Sequence, residues 1–197
     1  MRIWGLTGSI GMGKSTVAAM LRKAGVPVFD ADAEVHRLQG PNGALLHLIE
    51  ARFPGTTGSS GVDRQKLGAA VFGKVEELKA LEAIVHPAVR RSRESFLRRY
   101  RSRPVVVLDI PLLFEGRRGR PVRDVIVVSA PAWKQRKRVM ARPGMTAAKF
   151  DRILKLQVPD VEKRRRATHV IDTGGTLDKS RAQVRRLLAC LGARTGR

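Results

Sequence analysis

Cysteine is almost absent from this chain of 197 residues, and the one copy, Cys190, rules out an intramolecular disulfide framework and suits a reducing compartment. It sits among Leu187, Leu188 and Leu191, where a packed thiol is expected rather than a reactive one. Aromatic residues make up only 5% of the chain, so the core must be built from Val, Leu, Ile and Ala. Nor are aromatics interleaved with the basic clusters, which argues against platforms for stacked bases. No apolar run approaches the ~18 residues needed to span a bilayer. No charged-then-apolar leader precedes the first motif, and a cytoplasmic protein is expected. Acidic residues are scarce as well: 17 Asp and Glu face 39 Lys and Arg, giving a formal net charge of +22. Such a balance fits a nucleic-acid partner, an anionic small substrate, or a bias toward arginine on solvated helix faces. Charge alone is a weak footprint, and no dedicated nucleic-acid partner is expected. What remains is a globular chain with 43% hydrophobic residues, long enough for one domain with small insertions.

Glycine, by contrast, is concentrated where it has chemical meaning. Gly8-Ser9-Ile10-Gly11-Met12-Gly13-Lys14-Ser15 fits the phosphate-loop pattern G-x-x-x-x-G-K-[ST] at every fixed position. Arg2 to Thr7 before it reads as a short apolar strand, and Thr16 to Lys23 after it as a helix with Val17, Met20 and Leu21 on one face. Glycines let backbone N–H groups turn inward around phosphate oxygens, and the helix N-terminus adds its partial positive charge. Lys14 can reach the β- and γ-phosphates, and the Ser15 hydroxyl can ligate Mg²⁺. A chance glycine-rich turn is the bland alternative; the strand before and the helix after favour nucleoside triphosphate binding. The loop names a phosphate donor and leaves the acceptor open.

Val26 to Phe29 reads as a second strand, ending at Asp30-Ala31-Asp32. In open parallel sheets ligands gather outside the carboxyl ends of strands, which directs both acids toward the phosphate loop. From Ala33 to Tyr100 the pattern turns helical. Leu45, Leu48, Ile49 and Phe53 recur at helical spacing, Pro54 to Gly61 reads as a loop, and Asp63 can cap a short helix. His86-Pro87 is expected to interrupt the next helix, with Pro87 opening another. This block is too long for a crossover connection and suits a substrate-binding insertion. Val105 to Asp109 reads as a strand buried on both faces, with Asp109 a candidate partner for Mg²⁺, direct or through water. Pro111 to Glu115 follows at the same edge, Arg117 to Arg120 reads as a polar loop, and Val125–Val128 and His169–Ile171 complete five strands. Residues 133–166 hold twelve Lys or Arg against three Asp or Glu. Gln135, Arg138 and Arg142 lie at near-helical spacing, Pro143-Gly144 breaks the chain, and a second helix runs through Phe150 to Gln157. A lid bringing arginines onto transferring phosphates would look like this, and so would a solvated basic hairpin; the position after the fourth strand favours the lid. Arg164 to Arg166 reads as surface charge. Leu177 to Leu191 is the final helix, and Ala193 to Arg197 is expected to fray.

Together these motifs resemble the dephospho-coenzyme A kinase family. The resemblance rests on Gly5 to Ala18, Val28-Phe29-Asp30-Ala31-Asp32, Asp63-Arg64, Val71-Phe72, Leu81 to Pro87, Asp109 to Glu115, and Gln135, Arg138, Arg142, Gln157 and Lys163. It spans Arg2 to about Gly175. It implies an α/β fold of the P-loop type, with a five-stranded parallel sheet in the order 2-3-1-4-5. The core would be 1–32 with 101–132 and 167–197, the helical substrate domain 33–100, and the lid 133–166. It also implies the chemistry. ATP lies on residues 8 to 16, through Gly8, Gly11, Met12, Gly13, Lys14, Ser15 and Thr16, with Mg²⁺ near Ser15 and Asp109. The insertion, with His86, and the segment Leu112, Leu113, Phe114 and Glu115 hold dephospho-coenzyme A. Asp32 accepts the proton of the ribose 3′-hydroxyl as it attacks the γ-phosphorus. Lys14, Arg138 and Arg142 neutralise charge on the transferred group. The positive field then serves two polyanionic substrates. Asp172-Thr173-Gly174-Gly175 departs from the family's more usual Asn-containing turn.

Several residues keep two readings. His86 contacts substrate or caps a helix; Glu115 binds substrate or Mg²⁺ indirectly, or pairs with an arginine; Asp30 faces the phosphate loop or simply ends its strand, and ranks below Asp32. Among functions, a nucleoside or nucleotide kinase is the runner-up. A GTPase-like switch is disfavoured because no N-K-x-D motif follows the fourth strand.

Overall fold

The computed structural model describes residues 1–115 and 122–191; the expected polar loop Arg117–Arg120 and the expected frayed end Ala193–Arg197 lie outside them. The chain forms two compact units, one made of Met1–Phe29 with Tyr100–Arg197 and the other of Asp30–Arg99.

The first unit is built on a five-stranded sheet. Its strands are β1 (Arg2–Thr7), β2 (Val28–Asp30), β5 (Val105–Asp109), β6 (Asp124–Ser129) and β7 (His169–Asp172), in the spatial order β2-β5-β1-β6-β7. Counting only these five along the chain, the order reads 2-3-1-4-5, as expected. β1 pairs in parallel with β5 on one side and β6 on the other, and β6 pairs in parallel with β7. Every residue of β5 is buried, as its unbroken apolar run requires of a strand covered on both faces. Helix α1 (Lys14–Lys23) and helix α9 (Leu177–Cys190) lay Val17, Ala18, Leu21, Val184, Leu187 and Leu188 on one face of the sheet.

Cys190 corrects an expectation, for its thiol is exposed. At 100° per residue it points roughly 110° away from the direction shared by Val184, Leu187 and Leu188, so leucine neighbours in sequence do not make it a core residue.

The basic segment forms three helices, not two: α6 (Ala132–Met140), α7 (Ala147–Lys155) and α8 (Asp160–Arg165). Thr146 caps α7, accepting from the Lys149 N–H at 3.2 Å. Phe150 is the buried residue of that helix.

The second unit carries α2 (Ala31–Gln39), α3 (Leu46–Arg52), a short hairpin of β3 (Thr57–Gly58) and β4 (Gly61–Val62), α4 (Arg64–Val71) and α5 (Val75–Arg99). Its core gathers Leu38, Leu45, Ile49, Phe53, Leu67 and Ala88. Asp63 caps α4 as expected, accepting from Gln65 and Lys66 N–H. Two readings fail here. Residues 54–61 are not simply a loop, because the Glu50 carboxylate accepts from Gly55 N–H at 2.6 Å and from Thr57 N–H at 3.0 Å and organises the hairpin. Pro87 does not start a new helix. It lies inside the 25-residue α5, a rod of about 37 Å. Proline inside a helix costs about 3 kcal/mol. The contacts of Leu81, Ile84, Val85, Ala88 and Val89 with the second core, on both sides of it, offset that cost. Among the described residues no helix is long and apolar enough to cross a membrane.

Candidate functional site

The glycine loop between β1 and α1 is held from outside by its carbonyls. Three successive ones each accept from a side chain distant in sequence. Gln135 Nε2 donates to Ile10 O at 2.8 Å, Arg138 to Gly11 O at 3.4 Å, and Thr173 Oγ1 to Met12 O at 2.6 Å. The Met12 sulfur also accepts from Ala130 N–H at 3.1 Å. Ile10 N–H donates to Gln157 Oε1 and Met12 N–H to Ser9 O, each at 3.1 Å, so with the carbonyls turned toward the protein the anion side falls to the loop's other N–H groups. The helix that follows is capped by Gly13 with φ 87°, with no side-chain cap; Thr16 N–H turns back to Gly13 O at 3.1 Å, and the dipole with the Lys14 and Ser15 N–H groups ahead of it faces the ligand side. Gly11 has φ 75°, and an added Cβ would come within 2.4 Å of Val139 and 3.0 Å of the Gln135 carbonyl. That glycine is required both by backbone conformation and by the close seating of α6 on the loop.

Lys14 and Asp109 meet at the end of β5. Their ammonium and carboxylate form an ion pair in which Asp109 is almost wholly buried and Lys14 is partly open. The lysine is thus aimed across the loop at the sheet edge, where ligands sit in open α/β sheets. Ser15 and Thr16 are exposed at the start of α1.

The two arginines expected to act together are placed differently. Arg138 is committed: besides Gly11 O, it donates to Thr173 Oγ1 at 3.0 Å and Thr173 O at 2.7 Å. It ties the turn after β7 to the loop. Arg142 is exposed beyond the end of α6. Thr173 itself is 5% exposed; the sequence marks its turn as a departure from the family pattern but gives no sign of this bracing role. Its position just past a strand's carboxyl end was the available signal.

Glu115 resolves toward an ion pair, with a lysine in place of the arginine considered from sequence. Lys163 is fully buried and its Nζ lies 2.8 Å from Glu115 Oε1. The same carboxylate accepts from Val158 N–H at 3.0 Å and Phe114 N–H at 3.2 Å. Leu113 is buried at 4% exposure, and an added Cβ on Gly5 would strike its Cδ2 at 2.9 Å, so it packs under the sheet. Leu112 is exposed, and the Arg166 guanidinium stands 5.9 Å from the Phe114 ring centroid.

In the second unit, Asp30 is the N-cap of α2, accepting from Ala33 N–H at 3.0 Å. Asp32, in the first turn, is exposed and is not the cap. His86 is exposed in the middle of α5, which removes its reading as a cap.

A family model described as dephospho-CoA kinase matches residues 2–179. The dephospho-CoA kinase of Novosphingobium aromaticivorans is 63% identical over 189 residues, covering 96% of this chain and 94% of that relative. The dephospho-CoA kinase of Mesorhizobium japonicum is 57% identical over 187 residues, 93% of each chain. Among solved structures, a protein from Thermus thermophilus shares 40% identity and a TM-score of 0.82 over 96% of this chain and 97% of its own. A dephospho-CoA kinase from Campylobacter jejuni, 24% identical, has the same fold, with a TM-score of 0.66 over 96% of this chain and 97% of its own.

Proposed function

This chain belongs to the dephospho-CoA kinase family, and from that premise we propose how its residues divide the work. The reaction is transfer of the γ-phosphoryl group of ATP to the ribose 3′-hydroxyl of dephospho-CoA, giving CoA and ADP, the last step of coenzyme A biosynthesis. The observation that carries the division is the loop whose carbonyls at Ile10, Gly11 and Met12 are all drawn outward. Its inward side, from Gly8 to Thr16, receives the triphosphate. Lys14 neutralises β- and γ-oxygens, and Asp109 keeps its ammonium pointed at them. Arg142, exposed past α6, is the arginine we assign to the transferred group; Arg138 acts on it through the loop it holds.

The donor set fits Mg²⁺. The Ser15 hydroxyl is exposed beside the loop, and among the described residues no three His, Cys, Asp or Glu side chains gather into a cage. Mg²⁺ keeps waters and phosphate oxygens in its shell and needs few protein ligands. Ser15, with Asp109 directly or through water, would hold it, and its charge would screen the β- and γ-phosphates.

Asp32 is the proposed base. Asp30 already has a structural task as helix cap, whereas Asp32 is exposed and is not the cap. Its carboxylate accepts the proton as the 3′-oxygen attacks phosphorus and the bond to the β–γ bridging oxygen breaks. Leu112 and Phe114 line the acceptor side, and His86 contacts dephospho-CoA from the insertion. Leu113 and Glu115 act on that side by shaping its wall. Both substrates are polyanions, and the strongly positive chain attracts them. Their charge confines them behind membranes, which is why we place the enzyme in the cytoplasm.

Coupled ADP release with a panel of acceptors tests the reading: turnover with dephospho-CoA and none with nucleosides is expected, and the reverse pattern refutes it. Lys14→Ala is expected to lower kcat by about 10²–10³-fold, as loss of one preorganised charge at a transferring group does. Steady-state kinetics at saturating ATP would check it, and normal turnover would remove Lys14 from the site.

A further inference from the structure

The loop residue Ile10 is gripped on both sides of its backbone by two amide side chains. Gln135 Nε2 donates to Ile10 O at 2.8 Å, and Gln157 Oε1 accepts from Ile10 N–H at 3.1 Å. The two glutamines come from opposite ends of the basic hairpin, one in α6 and one just after α7. Gln135 is 6% exposed, and it is held in register by the seating of Val139 against Gly11. A side-chain amide is neutral and offers both a donor and an acceptor at the end of a long side chain, so two of them can hold an intervening backbone residue without adding charge beside an anion site.

We propose that Gln135 and Gln157 are positioning residues: together they fix Ile10, and so tie both ends of the helical hairpin carrying Arg142 to the phosphate loop. The pair does not touch ATP. It sets which way the loop's peptides face, and it fixes Arg142 relative to the phosphates, since the arginine lies between the two anchors in sequence. A hairpin anchored at one end alone could drift from the loop; anchored at both, its displacement must move Ile10. The inference rests on the assignment of ATP to this loop.

Methionine matches glutamine in length and volume but donates nothing and accepts only weakly through sulfur, so Gln135→Met removes one hydrogen bond and Gln157→Met weakens the other with packing kept. ATP with Mg²⁺ is titrated calorimetrically into the whole protein, and KM for dephospho-CoA is measured in parallel. Each variant is expected to bind ATP about tenfold more weakly, with KM for dephospho-CoA changed less than about twofold. Because both act on one residue, the double variant is expected to lose about ten- to thirtyfold, not the roughly hundredfold of independent sites. The Ile10 amide is expected to exchange with solvent faster in Gln157→Met than in Gln135→Met, since only the former weakens its acceptor. Unchanged ATP affinity in both variants, or a fully multiplicative double variant, would overturn the proposal while leaving ATP on the loop. Failure of the unaltered protein to bind ATP would overturn the nucleotide assignment and this inference with it.

Discussion

Asp32→Asn is expected to reduce kcat by about 10²–10⁴-fold, the range of a positioned general base, with ATP affinity essentially unaltered. The substitution is nearly isosteric and lies on an exposed first-turn position of α2, so the fold has little reason to respond. A first-turn carboxylate contributes only about 0.3–1 kcal/mol to a helix through its dipole. The measurement is ADP release at saturating ATP and dephospho-CoA, beside an ATP titration and a thermal melt. Turnover within about twofold of the unaltered enzyme would reject Asp32 as the base. Asp30→Asn is the matched control, because asparagine caps a helix about as well as aspartate. It should retain turnover if Asp30 only caps α2.

Glu115→Ala should unfold the protein far more readily than any surface change, by about 3–5 kcal/mol, because it strands a buried charge. Lys163 has no exposure, and Glu115 is the carboxylate beside its Nζ. The same substitution removes the acceptor shared by the Val158 and Phe114 N–H groups. Replacing both partners tests the cause. In Glu115→Gln with Lys163→Met, the amide still accepts from Val158 and no ammonium remains, so most of the loss should be recovered. Chemical denaturation of Glu115→Ala and of the double variant measures this. A double variant as unstable as Glu115→Ala would show that the charge is not the reason.

Much of the core was legible because its signals are local and periodic. The β5 run Val105–Asp109 is unmistakable in composition, and the phosphate loop combines four fixed residues with the right flanks. Asp63 announced a cap that the structure contains. What was not legible depends on partners far along the chain. Pro87 is a helix breaker on local grounds, and only the packing of α5 on both sides of it overrides that. The 57–62 hairpin depends on Glu50, an acid in the preceding helix. Thr173 and Met12 are 161 positions apart, so nothing near either residue suggests their hydrogen bond. Lys163, one of twelve cations in a basic segment, gave no hint that it alone would be buried against an acid. Cys190 erred the other way, since leucine neighbours in sequence were read without their direction around the helix.

The position of β1 has a consequence for how the protein is made. β1 is the middle strand, yet both its neighbours come from beyond residue 100: Arg2 aligns with Val105, and Trp4 with Asp124. At about 5–20 residues per second, a nascent chain carries β1 unpaired for about 5–20 s before β5 has even been synthesised. By the end of that wait Asp30–Arg99, a compact unit with its own apolar core, has been synthesised ahead of β5. Its early collapse would shorten the span that β1 must close to meet β5 and so reduce the entropy that pairing opposes. The unit between β2 and β5 would then help the strands on either side of it to meet during translation.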